Sequence, residues 1–219
     1  MTDAVIFDCD GVLVDSEPLA VEEIVTMMER LGLPIDASRI YDSFLGQSFQ
    51  KILDAAFEEH GVDLTPHVAR FQDDLACRFR RDLQPVPGIA DAIGGLNLPI
   101  AVASSSAPDR LRLSLSVTGL KPLFGDHVYS AVQVRNGKPA PDLFLMAAQR
   151  LGVAPGDCTV LEDSPAGVRA AHAAGMRVIG FLGGSHAAPA RLATRLADEK
   201  PHAMIESAAE LPDTLARLG

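Results

Sequence analysis

The stretch Ala4-Val5-Ile6-Phe7-Asp8-Cys9-Asp10-Gly11-Val12-Leu13-Val14-Asp15 decides how the rest of the chain is read. Its four opening apolar residues, with Val5 and Ile6 β-branched, read as a strand buried on both faces, as inside a parallel sheet. Such a strand delivers the next residues to the carboxyl edge of the sheet, where open α/β folds bind ligands. Asp8 and Asp10 stand on alternate positions, so an extended backbone sends both the same way. Two carboxylates brought close repel and are tolerated mainly with a cation between them. Gly11 permits a tight turn that a β-carbon would obstruct. One Asp-Gly alone would read as an Asx-type turn. Three aspartates directly after a buried strand point to chemistry.

Bulk properties bound the rest. A chain of 219 residues is one large domain or a domain with an insertion, and 47% hydrophobic residues can bury a sizeable core. A formal charge of −10 argues against a nucleic-acid partner, which would need clustered Lys and Arg. No apolar run approaches the roughly 18 residues that span a bilayer, so no membrane partner is expected. No charged leader precedes the first strand, and a cytoplasmic location is expected. Cys9, Cys77 and Cys158 are far apart and lack C-x-x-C spacing, so they read as reduced packing residues. The histidines show no metal-ligand spacing.

After Asp15 the pattern is helical. Pro18 to Leu31 is amphipathic, with Leu19, Ile24, Met27, Met28 and Leu31 on one face. A second helix is expected from Phe49 to His60, with Ile52, Leu53, Ala56 and Phe57 inward, and a third from about His67 to Leu83. No strand pattern occurs between residues 17 and 84. Pro85-Val86-Pro87-Gly88 then opens a regular alternation of helices and strands, which implies a parallel sheet with right-handed crossovers. Strands are expected at Ile100–Ala103, His127–Ser130, Thr159–Leu161, Arg177–Phe181 and, at an edge, His202–Ile205. Gly183-Gly184-Ser185 reads as a flexible loop. The fold class is therefore α/β, with residues 1–16 and 86–219 as a Rossmann-like three-layer core and residues 17–85 as a small all-helical insertion after the first strand.

Three more polar clusters sit at the ends or connections of these elements. Ser104-Ser105-Ser106 offers hydroxyls and N–H groups to an anion at a helix entrance, or simply a helix cap. Lys138 stands in the rigid turn Gly137-Lys138-Pro139-Ala140-Pro141-Asp142; a solvated lysine is the plain alternative. Glu162-Asp163 sets two acids directly after a strand, and a helix cap explains one of them but not both. Oxygen ligands of this kind suit a hard divalent ion, above all Mg²⁺. An aspartate pair, hydroxyls, one lysine and a second acid pair are together what phosphoryl transfer requires.

With these motifs in order, the chain resembles the haloacid dehalogenase-like superfamily of phosphohydrolases. It is similar to the helical-cap branch of β-phosphoglucomutase and phosphoglycolate phosphatase. The resemblance rests on Asp8-Cys9-Asp10-Gly11-Val12 with Asp15, then Ser104, then Lys138, then Glu162-Asp163-Ser164 with Gly167. It implies that Asp8 attacks phosphorus and that Asp10 acts as general acid and base. It also implies that Mg²⁺ is held by Asp8, the Asp10 carbonyl, Asp163 and Glu162. Ser104, Ser105 and Lys138 would bind the transferring phosphoryl group, with Asp15 as scaffold and Asp142 positioning the lysine turn. The insertion would be a cap that closes over the site. Gly46 and Gln47, with Phe44, Phe49, Gln50 and Lys51, are the candidates for its specificity surface.

The expected activity is Mg²⁺-dependent hydrolysis of a small phosphorylated metabolite, a sugar or sugar-acid phosphate, by a monomer or weak dimer. The alternatives are a phosphomutase and a non-catalytic metabolite-binding protein. The mutase branch carries basic residues in its cap loop. Phe44-Leu45-Gly46-Gln47-Ser48-Phe49-Gln50 has none before Lys51.

Overall fold

The computed structural model describes residues 2–33, 35, 40–41 and 49–219, with side chains in the last stretch from residue 52 onward. The strands are β1 (Ala4–Phe7), β2 (Ile100–Ser104), β3 (Val128–Ser130), β4 (Cys158–Glu162), β5 (Arg177–Phe181) and β6 (Ala203–Ile205). They form one sheet in the order β3-β2-β1-β4-β5-β6, every pairing parallel. All four residues of β1 are completely buried, as an interior strand covered on both faces requires. Phe7 is in register with Val102 on one side and Leu161 on the other. One step further, Asp8 N–H still bonds Leu161 O at 3.0 Å, which sets Asp8 level with Glu162 at the carboxyl edge.

The helices are α1 (Glu17–Arg30), α2 (Phe49–His60), α3 (Val68–Asp82), α4 (Ile89–Gly94), α5 (Pro108–Val117), α6 (Lys121–Phe124), α7 (Asp142–Leu151), α8 (Pro165–Ala173), α9 (Leu192–Asp198) and α10 (Leu211–Leu218). Within the core, α7 packs on β1 and β2, and α8 on β4 and β5. The result is the Rossmann-like α/β architecture with a helical cap after the first strand. Strand ends ran longer than the apolar pattern: Ser104 and Glu162 close β2 and β4 as ladder residues. The short helices α6 and α9 carried no usable periodicity, because one or two turns are too few to repeat it.

The excursion between β1 and α4 is sealed at its base. Asp15 N–H bonds Gln84 O at 3.0 Å, Val86 N–H bonds Leu13 O at 3.0 Å, and Val14 pairs with Pro85 as an antiparallel bridge. Within it α1 packs on α3, burying Ala20, Val21, Ile24, Met27 and Met28 against Phe71, Leu75 and Phe79. α3 also touches α5, joining the excursion to the core. Leu19 and Leu31 are half-buried and pack against this apolar cluster at its margin. Two expectations need correcting. Phe57 is 62% exposed rather than inward. Cys77 is exposed on α3, so only Cys9 and Cys158 are packing residues.

Candidate active site

The sheet edge gathers its acids around one lysine. Lys138 comes from the turn before α7. That turn is held by an Ala140 N–H bond to Gly137 O (3.0 Å) and by Asp142 Oδ2, which accepts from Asn136 N–H (3.2 Å) and Nδ2 (3.1 Å). The Lys138–Pro139 peptide is cis. From there the side chain runs inward, 4% exposed, with Nζ 4.8 Å from the centre of the Phe144 ring. Nζ donates to Asp8 Oδ1 at 2.8 Å and to Glu162 Oε1 at 2.6 Å. This is not a solvated turn lysine. Burial opposes its charge, but Asp8 and Glu162 more than compensate and hold the ammonium above its ordinary pKa.

Glu162 is completely buried, and its other oxygen accepts from Ser164 N–H (2.7 Å) and Ser164 Oγ (2.9 Å). Ser164 Oγ also accepts from Gly167 N–H at 3.0 Å and so caps α8. A β-carbon at Gly167 would fall onto the Glu162 carboxylate, which is the physical reason for glycine one turn into a helix. Asp163, the next residue, is 6% exposed. Asp8, Glu162 and Asp163 each bring an oxygen within 4.8 Å of the others. Burial pushes the carboxyls of Asp8 and Asp163 well above the usual range, and the neighbouring acids add to the push. With every group ionised, three carboxylates against one ammonium leave two negative charges in a dry space. An oxygen cluster short of two positive charges fits a hard divalent cation.

Asp10 is held quite differently. The turn after β1 is closed by Leu13 and Val14 N–H bonds to Cys9 O (2.9 and 3.1 Å), with Gly11 at φ +77°. It presents the Asp10 carboxylate to three donors: Ser16 Oγ at 2.7 Å, Ser106 Oγ at 2.5 Å and Arg110 Nη2 at 2.9 Å. Burial alone would raise its pKa, but Arg110 and these hydrogen bonds outweigh it and hold the carboxyl below its ordinary value. Arg110 in turn lies over the Phe79 ring of α3, 5.2 Å from its centre. Nearby, burial and the Asp10 charge raise Glu17 to about 7.

The three serines divide. Ser104 is buried at the end of β2 and its Oγ accepts from Ser106 N–H at 3.1 Å, Ser105 is exposed, and Ser106 carries the link to Asp10. Ser130 Oγ, from the end of β3, steadies Ser106 by donating to its carbonyl at 2.6 Å. Asp15 is a scaffold contact: its Oδ1 accepts from Ser185 N–H at 3.0 Å. The loop after β5 is thereby pinned rather than free. Gly46, Gln47 and Phe44 lie outside the described residues, as do the side chains of Phe49, Gln50 and Lys51.

Sequence reasoning missed Ser16, Arg110 and His186, and took Ser106 only as one of three hydroxyls at a helix entrance. His186 is 1% exposed and places Nε2 2.9 Å from Asp163 Oδ2. Burial lowers its pKa and favours the neutral ring. Arg110 left one trace, a cation at the third position of a helix that starts at the sheet edge. His186 left another in the two glycines before it, which suggest a close backbone approach.

Comparison with known proteins agrees with this geometry. The family described as haloacid dehalogenase-like hydrolase matches residues 2–175. A 6-phosphogluconate phosphatase of Escherichia coli is 30% identical over 189 residues, covering 85% of this chain and 86% of that protein. A fructose-1-phosphate phosphatase of the same organism is 34% identical, covering 80% and 93%. Among solved structures, a haloacid dehalogenase-like protein of unknown function from Agrobacterium tumefaciens superposes with a TM-score of 0.89. It is 36% identical and covers 100% of this chain and 99% of that one.

Proposed function

This chain belongs to the haloacid dehalogenase-like hydrolases, and we propose that it removes phosphate from a small phosphorylated sugar or sugar acid with the aid of Mg²⁺. One observation carries the reading: Lys138 bridges Asp8 and Glu162 at the sheet edge while Asp163 completes an oxygen cluster short of two positive charges.

Asp8 is the nucleophile. Lys138 occupies its Oδ1 and leaves Oδ2 for attack on phosphorus, forming an O–P bond as the bond to the substrate oxygen breaks. Asp10 in its acid form gives a proton to that departing oxygen. As carboxylate, it then takes a proton from the water that attacks the phosphorus and frees Asp8. The contacts from Ser16, Ser106 and Arg110 fix the Asp10 carboxyl in place, and they favour the proton-accepting form that the second step uses. Asp8, Asp163 and the Asp10 carbonyl would hold the Mg²⁺, which supplies charge neutralisation for the transferring group. Glu162 would contribute less directly, since its oxygens already accept three hydrogen bonds. Lys138 and the Ser104–Ser106 turn would bind the phosphoryl oxygens. Residues 17–85 would act as the cap, moving at the Asp15–Gln84 and Leu13–Val86 seam and excluding water when closed.

Hydrolysis of an aryl phosphate tests this. Turnover requires added Mg²⁺, and chelator or Asp8→Asn abolishes it; undiminished rates in either would sink the mechanism. Conversion of a hexose phosphate to its isomer in the presence of hexose bisphosphate, without release of inorganic phosphate, would instead identify a mutase. Saturable metabolite binding with no turnover under any metal would identify a binding protein.

A further inference from the structure

His186 has no role in the chemistry above, yet the fold is built around it. The imidazole is 1% exposed, and among the described residues neither ring nitrogen has a hydrogen-bond partner. Nε2 approaches Asp163 Oδ2 to 2.9 Å, but the ring N–H is not aligned well enough to bond. A buried polar group without a partner costs stability, and in a native fold it calls for an explanation such as an ion or a functional role.

Two glycines make room for this contact. At Gly11, in the turn between Asp8 and Asp15, a β-carbon would strike the Asp163 carboxylate and lie 2.6 Å from His186 Cε1. At Gly184 a β-carbon would lie 2.7 Å from both Gly11 O and His186 Cε1. The 183–186 segment is further latched to the first turn by the Asp15–Ser185 hydrogen bond of 3.0 Å. Three separate segments, the turn after β1, the end of β4 and the loop after β5, therefore converge to bring one imidazole onto one carboxylate. Packing alone would be served as well by an apolar side chain of the same size, which would have no reason to face a carboxylate.

We propose that His186 is a positioning residue for the cation, donating Nε2–H to Asp163 Oδ2 when that carboxylate turns to bind the metal. A hydrogen bond at Oδ2 sets the rotation of the carboxylate and so the direction in which both oxygens are offered. Ligating carboxylates are commonly oriented in this way, and loss of such a partner costs about 10- to 100-fold in metal affinity. The inference rests on the metal reading of the Asp8, Glu162 and Asp163 cluster.

Calorimetric titration of Mg²⁺ into the whole chain tests it, with wild type, His186→Leu and His186→Gln compared. Leucine fills similar space without a donor, whereas the glutamine amide places an N–H near the position of Nε2–H. The expected result is that His186→Leu weakens Mg²⁺ binding about 10- to 100-fold and His186→Gln restores most of it. The Mg²⁺ concentration for half-maximal phosphatase activity rises in His186→Leu, while kcat at saturating Mg²⁺ returns toward wild type. Wild-type affinity in His186→Leu, or equal losses in both variants, overturns the proposal. Should His186→Leu fail to fold, Gly184→Ala, which crowds the ring without changing charge, must weaken Mg²⁺ binding; an unchanged affinity there overturns the proposal as well. A wild-type chain that takes up no Mg²⁺ instead overturns the metal reading itself, and this inference with it.

Discussion

The sheet edge and the helical excursion are held together by opposite means. At the edge, Lys138, Glu162 and Asp163 are almost fully buried, and hydrogen bonds of 2.6–2.9 Å tie Lys138 to Asp8 and Glu162 and tie Glu162 to Ser164. In the excursion, the polar contacts lie outside. Arg30 and Asp74 pair at 2.7 Å with 47% and 36% of their side chains exposed, Arg78 pairs with Glu22, and Arg81 with the adjacent Asp82. What holds α1 to α3 is the apolar face of Phe71, Leu75 and Phe79. Exposed pairs contribute little individually, whereas breaking a buried pair strands a charge. The edge is therefore tied by buried hydrogen bonds around the proposed reacting atoms, whereas the excursion rests on apolar contacts with its ion pairs toward the surface.

Four substitutions probe that contrast. The largest effect belongs to Asp10→Asn. General acid–base assistance is worth about 10²- to 10⁴-fold, so kcat/KM on an aryl phosphate should fall by that order; a mere twofold loss removes Asp10 from its role. Next comes Lys138→Met, which keeps the bulk over Phe144 but leaves Asp8 and Glu162 without their cation. Removing one partner of a buried pair costs about 3–5 kcal/mol, read by urea denaturation in chelator, and added Mg²⁺ should recover part of it. Phe79→Ala empties a site 1% exposed at the seam between α3 and α5, with an expected loss of about 3 kcal/mol. It also removes the ring under Arg110, so turnover should fall as well; wild-type turnover would show that the seam does not reach Asp10. The smallest effect is that of Arg30→Ala, a shift in the denaturation midpoint close to none at all and smaller still in high salt. A loss as large as that of Lys138→Met would dissolve the contrast between the two regions.

Much of the edge was legible because its signals are local. An apolar run followed by acids, a lysine between glycine and proline, and a second acid pair after a second strand are each readable within a few residues. Parallel topology then carries them to one side. Asp8, Lys138, Glu162 and Asp163 came together on that logic. The helical faces were read less well. Phe57 fits a helical stripe but points to solvent, since period alone does not say which flank of the stripe meets a neighbour. The hydrogen bond from Ser106, two residues past the end of β2, to Asp10 is likewise a contact that no local pattern shows.

Sequence by itself determined the order of the strands and longer helices, the sheet edge that carries the acids, and the four motifs of the site, because periodicity, turn residues and strand ends are properties of neighbouring residues. Only the tertiary structure decided how the two aspartates of the opening stretch differ. Asp8 faces Lys138 from 130 residues away, while Asp10 faces Ser106 and Arg110 from 96 and 100 residues away. It decided equally that a histidine with no metal-ligand spacing sits on Asp163, 23 residues before it in the chain. Which partner a side chain meets across the fold depends on loop paths and on the space glycines leave, as at Gly11, Gly167 and Gly184. Neither is written in the local pattern of any one segment.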